Sequence, residues 1–319
     1  MDVCNSESIK SEVMNKVKIL LFSLVTTLLV ACGTTRIVPI TGRHQSLMVS
    51  DEQVLSLSNQ EYRKFIASAK LSSNANQTAM VKRVGHKLAN AVETFFRTNG
   101  LSNELSHYSW EFNLVADKQV NAFCMPGGKI VVYEGLLPYT QNEAALAVVL
   151  GHEIAHAVAR HSAEQMSAQI RNNVGVQVLG GALGAMGVGS TTTQLAQIVA
   201  QQGLQFRSLK YSRAHETEAD KMGIIFAAMA GYDPREAIPF WKRMSSGQQA
   251  HSDMFSSHPS DSKRIAALER EMPTALTYYH GHGKTAAPVL KKSTKQRFKS
   301  QSNSNVKSVS VSDLYKNAQ

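Results

Sequence analysis

The sequence predicts an α+β fold, mainly helical, with a small β-sheet beside one central helix. Three observations carry this. Apolar residues recur at helical spacing in several stretches opened by capping boxes and closed by Gly or Asn-Gly. The apolar period drops to two only between about 109 and 133. Directly after that region comes a long Pro-free helical stretch, "AALAVVLGHEIAHAVARHSAEQM". With 319 residues, 43% hydrophobic and 18% charged, the chain can bury a sizeable core as one large domain or two small ones.

The N-terminus reads as a targeting segment. "MNKVKILLFSLVTTLLVAC" has Lys16 and Lys18, then an apolar run of 13 residues from Ile19 to Ala31, short for a membrane span. Leu29-Val30-Ala31-Cys32 resembles the lipobox of bacterial lipoproteins, which implies cleavage before Cys32 and lipidation there. Gly33 after the cysteine favours the outer membrane, periplasmic face, as the destination. Residues 1–31 are thus expected to be a signal peptide, with Met14 an alternative start of translation, and residues 32–49 a lipidated tether. With Cys4 cleaved off and Cys32 lipidated, Cys124 is the only unmodified cysteine expected in the mature chain, so no internal disulfide is expected.

The folded domain is expected over residues 50–282. Ser50-Asp51-Glu52-Gln53 is a capping box that opens a helix to about Ala69. Met80, Val84, Leu88, Val92 and Phe95 define a second helix, stopped by Asn99-Gly100. "SWEFNLV" alternates as a strand, and Pro126-Gly127-Gly128 turns the chain into another strand, Lys129 to Tyr133. Thr140-Gln141-Asn142-Glu143 caps the long central helix. Asn172 to Phe206 is uncharged and Gly-rich, and is expected to cover the core or the cleft, hinged by its glycines. "SRAHETEADKMGIIFAAMAGYDP" is a helix ended by Gly231; Asp233-Pro234 caps the next, and Ser260 or Asp261 opens the last. Residues 283–319 carry eight Lys or Arg against one acid, and are expected to be a disordered basic tail. That tail holds much of the net charge of +10; no aromatic-rich motif accompanies it, so nucleic acid is not an expected partner.

The central helix carries the chemistry. His152 and His156 are four residues apart, so both project from one face and can converge on one ion. Glu153 beside them reaches a metal-held water rather than the metal. Burying these groups among Val and Ala would be costly without a shared partner. A catalytic zinc takes three protein ligands and keeps an open position. His161, five residues past His156 on a continuous helix, points elsewhere. On the later helix Glu216 and Asp220 share a face, offering one ligand and one supporting carboxylate, whereas Glu218 faces away, onto solvent.

"HEIAHAVARH", "NAFCMPGGKI", "SRAHETEAD" and "SSHPSDSKR", in a span from about Ser50 to Met272, resemble peptidase family M48. The resemblance implies a zincin (gluzincin-type) metallopeptidase domain with one Zn2+, held by His152, His156 and Glu216. It implies Glu153 as general base, taking a proton from water and passing it to the leaving amine. Asp220 would orient a ligand histidine. His258 would stabilise the oxyanion or fill the open coordination position, and Arg160 is a candidate partner for Asp220. The strand Ile130, Val131, Val132 and Tyr133 is the expected substrate-binding strand, pairing with extended peptide. The expected function is zinc-dependent endopeptidase action on unfolded or misassembled envelope proteins, with the membrane as partner through Cys32. The alternative is a non-proteolytic assembly factor with a structural zinc site; the intact Glu153 argues against it.

Overall fold

A computed structural model describes residues 14–16, 34–179, 206, 209–246 and 262–280. Cys32, residues 180–205, His258 and the tail beyond 280 lie outside the described residues, so the expectations placed on them are carried forward unaltered.

The described domain opens with an antiparallel hairpin, β1 (Thr34–Ile37) and β2 (His44–Leu47). Its turn uses left-handed backbone at Ile40 and Gly42. Val38, Leu47 and Val49 are buried in the domain's two apolar clusters. The expected tether is therefore folded structure from Thr34 onward.

Helix α1 (Asp51–Ser68) starts with the expected box: the Ser50 hydroxyl accepts from Gln53 N–H, and the Gln53 side chain accepts from Ser50 N–H. Helix α2 (Ala75–Thr98) begins at an Asn74 cap and ends before Asn99-Gly100.

Three strands form the main sheet: β3 (Glu111–Val115), β4 (Ala122–Met125) and β5 (Lys129–Tyr133), in the order β3-β5-β4. Alternate residues serve two cores. Phe112, Leu114, Ala122, Cys124, Ile130 and Val132 join one cluster with α2 and the central helix. Phe123, Met125, Val131 and Tyr133 join the other, with Val54, Leu57 and Tyr62 of α1. Burial on both faces explains why β5 reads as a continuous apolar run.

The topology corrects one expectation. β5 is the central strand, paired parallel with β3 and antiparallel with β4. Its hydrogen-bonding groups are used on both sides, so Ile130, Val131, Val132 and Tyr133 cannot pair with a substrate backbone. The outer edge of β3 meets Leu71 through a bridge to Val115, which leaves β4 as the open edge among the described residues. Tyr133 N–H donates to Asn121 O. Antiparallel alternation from that pair turns the peptide groups of Ala122 and Cys124 away from β5.

The one-turn helix α3 (Leu137–Thr140) precedes α4 (Glu143–Val158). Gln141 lies at φ 64 between them, so Asn142 rather than Thr140 is the cap; its side chain accepts from Ala145 N–H. The expected unbroken helix ends at Val158. Arg160, at φ 55, redirects the chain into α5 (His161–Leu179). Helix α6 (Arg213–Met229) follows a Ser212 cap, then come α7 (Ala237–Ser246) and α8 (Ser262–Leu276). Among the described residues no helix is long and apolar enough to cross a membrane.

Helices α4 and α6 form the most extensive helix pair. They meet glycine to glycine: a Cβ on Gly151 would lie 2.6 Å from Gly223 O, and one on Gly223 would lie 2.7 Å from His152 N. Only hydrogen side chains permit this separation.

Arg160 does not pair with Asp220. The left-handed turn carries its guanidinium to Asp51 (2.7 Å) and to Glu104, in a cluster that Arg36 and His107 complete. Burial pushes Glu104 up, but His107, Arg160 and Arg36 outweigh it and hold the carboxyl at about 2. That folded value lies below the ordinary 4.5. The stabilisation is therefore complete above pH 4.5 and is lost as the pH falls toward 2. Arg160→Ala is expected to cost about 3 kcal/mol at neutral pH by leaving buried acids underpaired. It should also flatten the acid limb, as urea unfolding at several pH values will show.

Candidate metal centre

Three buried side chains meet where α4 crosses α6. His152, His156 and Glu216 place one ligand atom each within 4.8 Å of one another. The His152 and His156 Nε2 atoms are 3.1 Å apart. Glu216 sets Oε2 at 3.4 Å from the first and Oε1 at 3.5 Å from the second. The four-residue spacing puts both imidazoles on one face of α4, and the Gly151–Gly223 contact brings Glu216 within reach.

The Nδ1 side of each imidazole is occupied. Asp220 Oδ1 sits 2.9 Å from His152 Nδ1. His161 Nδ1 sits 2.8 Å from His156 Nδ1. With both Nδ1 atoms engaged, both Nε2 lone pairs are left to face Glu216. Burial would depress His152, yet the Asp220 and Glu216 carboxylates raise it to about 9. The same negative field favours a divalent cation, and two imidazoles with one carboxylate are the donor set of an open catalytic zinc site. The residues present therefore fit a resident metal.

Glu153, next to the first ligand, is also buried. Its charge is felt by Cys124, whose thiol is raised by burial and then by Glu153, and by Tyr211. The helix that carries this carboxylate packs against the open-edge strand β4. Tyr211 stacks on His156 with ring centres 4.1 Å apart, and its hydroxyl lies 2.9 Å from Ser162 Oγ.

Two expectations are overturned beside the ligands. His161 does not point elsewhere, because the break at Arg160 swings it back onto His156. Glu218 does not face solvent: it is buried and meets His161 Nε2 at 3.0 Å. Its other contacts are Arg43 and the Thr41 hydroxyl, both on the N-terminal hairpin. These contacts outweigh burial and hold Glu218 at about 2, whereas burial lowers His161 to about 4 and keeps it neutral.

Sequence reasoning missed Arg264. From α8 its guanidinium lies over Trp241 at 3.5 Å, reaches Asp220 at 2.6 Å and Glu216 at 3.4 Å. It holds Glu216 and Asp220 of α6 together. Its position within "SSHPSDSKR" was the only signal, because an arginine two residues into a helix looks exposed. Cys124 is buried.

Glu216→Ala should abolish stoichiometric metal binding. Glu218→Ala should weaken it about 10-fold, as for loss of a group supporting a ligand. Metal content after gel filtration, together with a chelator competition, separates the two; equal loss would mean that Glu216 is not a ligand.

The model of peptidase family M48 matches residues 75–272. The chain is 39% identical over 174 residues to the mitochondrial metalloendopeptidase OMA1 of Schizosaccharomyces pombe, covering 54% of this chain and 49% of that one. It is 31% identical over 245 residues to the human mitochondrial metalloendopeptidase OMA1, covering 75% and 46%. It is 31% identical over 258 residues to the beta-barrel assembly-enhancing protease of Yersinia pestis, covering 75% and 49%. The chain spans about half the length of these relatives.

Proposed function

Because the chain belongs to peptidase family M48, we propose that it is a zinc-dependent endopeptidase of a bacterial cell envelope, cleaving unfolded or misassembled envelope proteins. The observation that carries this is the convergence of His152, His156 and Glu216 with Glu153 one residue from the first ligand. A purely structural site has no use for that extra carboxylate.

His152, His156 and Glu216 would hold zinc, which when bound supplies Lewis acidity toward a peptide carbonyl and toward water. Glu153 is the group that moves protons: it takes one from the attacking water and delivers it to the departing amine nitrogen. Asp220 and Arg264 fix the ligand orientations. The edge of β4, rather than β5, is positioned to align substrate. Ala122 and Cys124 present free-edge peptide groups beside the Glu153 side of α4, and an extended segment adds there as a further strand. Backbone pairing asks for an unfolded segment more than for a particular sequence, which suits quality control.

His258 is assigned the oxyanion or the open coordination position. Arg264 supports this, because it touches Asp220 and Glu216 and lies six residues beyond, within about 20 Å of chain. Envelope anchoring through Cys32 rests on the lipobox resemblance, and the name of the Yersinia relative points to the same compartment. Mass spectrometry of the mature N-terminus tests the anchor, and fractionation tests the outer-membrane, periplasmic placement.

The decisive experiment is degradation of a reduced, unfolded polypeptide by the purified protein, with metal content measured in parallel. Activity should require about one zinc per chain, vanish with a chelator and return with zinc. A fully zinc-loaded protein that leaves unfolded polypeptide intact would overturn the proposal.

A further inference from the structure

We infer that His161 and Glu218, clamped by Arg43 and Thr41 of the N-terminal hairpin, are positioning residues for the ligand His156. The hairpin, which precedes the family-matched region, is then a working part of the metal site. This rests on the zinc-site reading above.

His156 Nε2 faces Glu216 and His152, while its Nδ1 lies 2.8 Å from His161 Nδ1. One proton fits between two Nδ1 atoms at that distance. For His156 to offer its Nε2 lone pair to a metal, that proton must sit on His156 Nδ1, and His161 Nδ1 must accept. The proton of His161 is then on Nε2, where Glu218 Oε2 accepts at 3.0 Å. A carboxylate only accepts, so Glu218 sets the direction of the chain and holds His156 in its ligating tautomer.

Glu218 is itself fixed. Arg43 Nε donates to it at 2.9 Å, and the Thr41 hydroxyl donates as well. The far side of Arg43 donates to both oxygens of Glu164, at 2.8 and 2.7 Å. Thr41 and Arg43 flank Gly42, whose positive φ shapes the hairpin tip. His152 takes its support directly from Asp220, whereas His156 takes it through one interposed imidazole. The left-handed turn at Arg160 makes this possible. On an unbroken helix His161 would lie about 140° around from His156.

The test is zinc affinity, measured by competition with a chromophoric chelator. His161→Leu removes both hydrogen bonds, and affinity should fall about 10–100-fold. His161→Asn returns a carbonyl oxygen near the Nδ1 position, and should recover affinity to within about fivefold of the original. Arg43→Ala, at a third-exposed side chain that leaves the buried core untouched, should lose about 3–10-fold. It should add little to His161→Leu, since both act through one chain. The Co2+-substituted protein should show an altered visible spectrum in His161→Leu and a near-original one in His161→Asn. Equal affinities for the Leu and Asn variants, or an Arg43→Ala loss fully additive with His161→Leu, would overturn the inference. An original protein that takes up no zinc would instead overturn the metal-site reading, and this inference with it.

Discussion

Glu153→Gln is expected to lower kcat on unfolded polypeptide by about 10²–10⁴-fold while leaving zinc bound. Glutamine has nearly the same volume as glutamate, so the packing of α4 beside β4 survives. His152, His156 and Glu216 are unchanged, so the proposed stoichiometry of one metal per chain should be kept. What disappears is a group that can take a proton from water and release it to the leaving nitrogen. KM should move little, since the proposed strand addition along β4 does not use this carboxylate. Full zinc content with activity near the original would place the base elsewhere and remove the main argument against a structural zinc site.

The second large effect lies away from any ligand. Gly223→Ala places a methyl group 2.7 Å from His152 N, at the closest approach of α4 and α6. The contact is backbone against backbone, so no side-chain rotation relieves it. Helix separation must grow, at a stability cost of about 1–3 kcal/mol. Glu216 sits on one helix and both histidines on the other, so the same movement opens the metal site. Zinc affinity should therefore fall further than the loss of stability alone explains. Chemical unfolding of the metal-free protein, set beside chelator competition on the loaded one, separates the two effects. Unchanged values in both would mean that the helices are not held at this crossing.

Much of this was readable beforehand because it depends on local periodicity. The capping box at Ser50, the turn at Pro126-Gly127-Gly128 and the four-residue spacing of His152 and His156 act within one or two helical turns. What escaped depends on backbone sign or on long-range neighbours. Nothing in "HAVARHSAE" marks Arg160 as left-handed, yet that residue decides where His161 points and sends Arg160 itself to Asp51. Glu218 looks exposed by helical phase until a hairpin some 175 residues earlier in the chain supplies Arg43. The expected substrate-binding strand failed for a related reason. Sequence order β3, β4, β5 says nothing of the crossover that sets β5 between the other two. The apolar run at β5 reports burial on two faces, not an available edge.

The hairpin also sets the leash. It begins at Thr34, and if Cys32 carries lipid, two residue steps span about 7 Å between the acyl-bearing cysteine and folded protein. Such an enzyme cannot sweep a volume of periplasm as a flexibly tethered one does. Its cleft would patrol a shell about one protein diameter deep above the bilayer. Encounter would then follow the two-dimensional density of stalled chains at that surface more than their bulk concentration. Insertion of a long Gly-Ser spacer between Gly33 and Thr34 would widen the shell without touching the metal site. Cleavage should then spread to polypeptides held far from the membrane and decline, by dilution, for those emerging close to it.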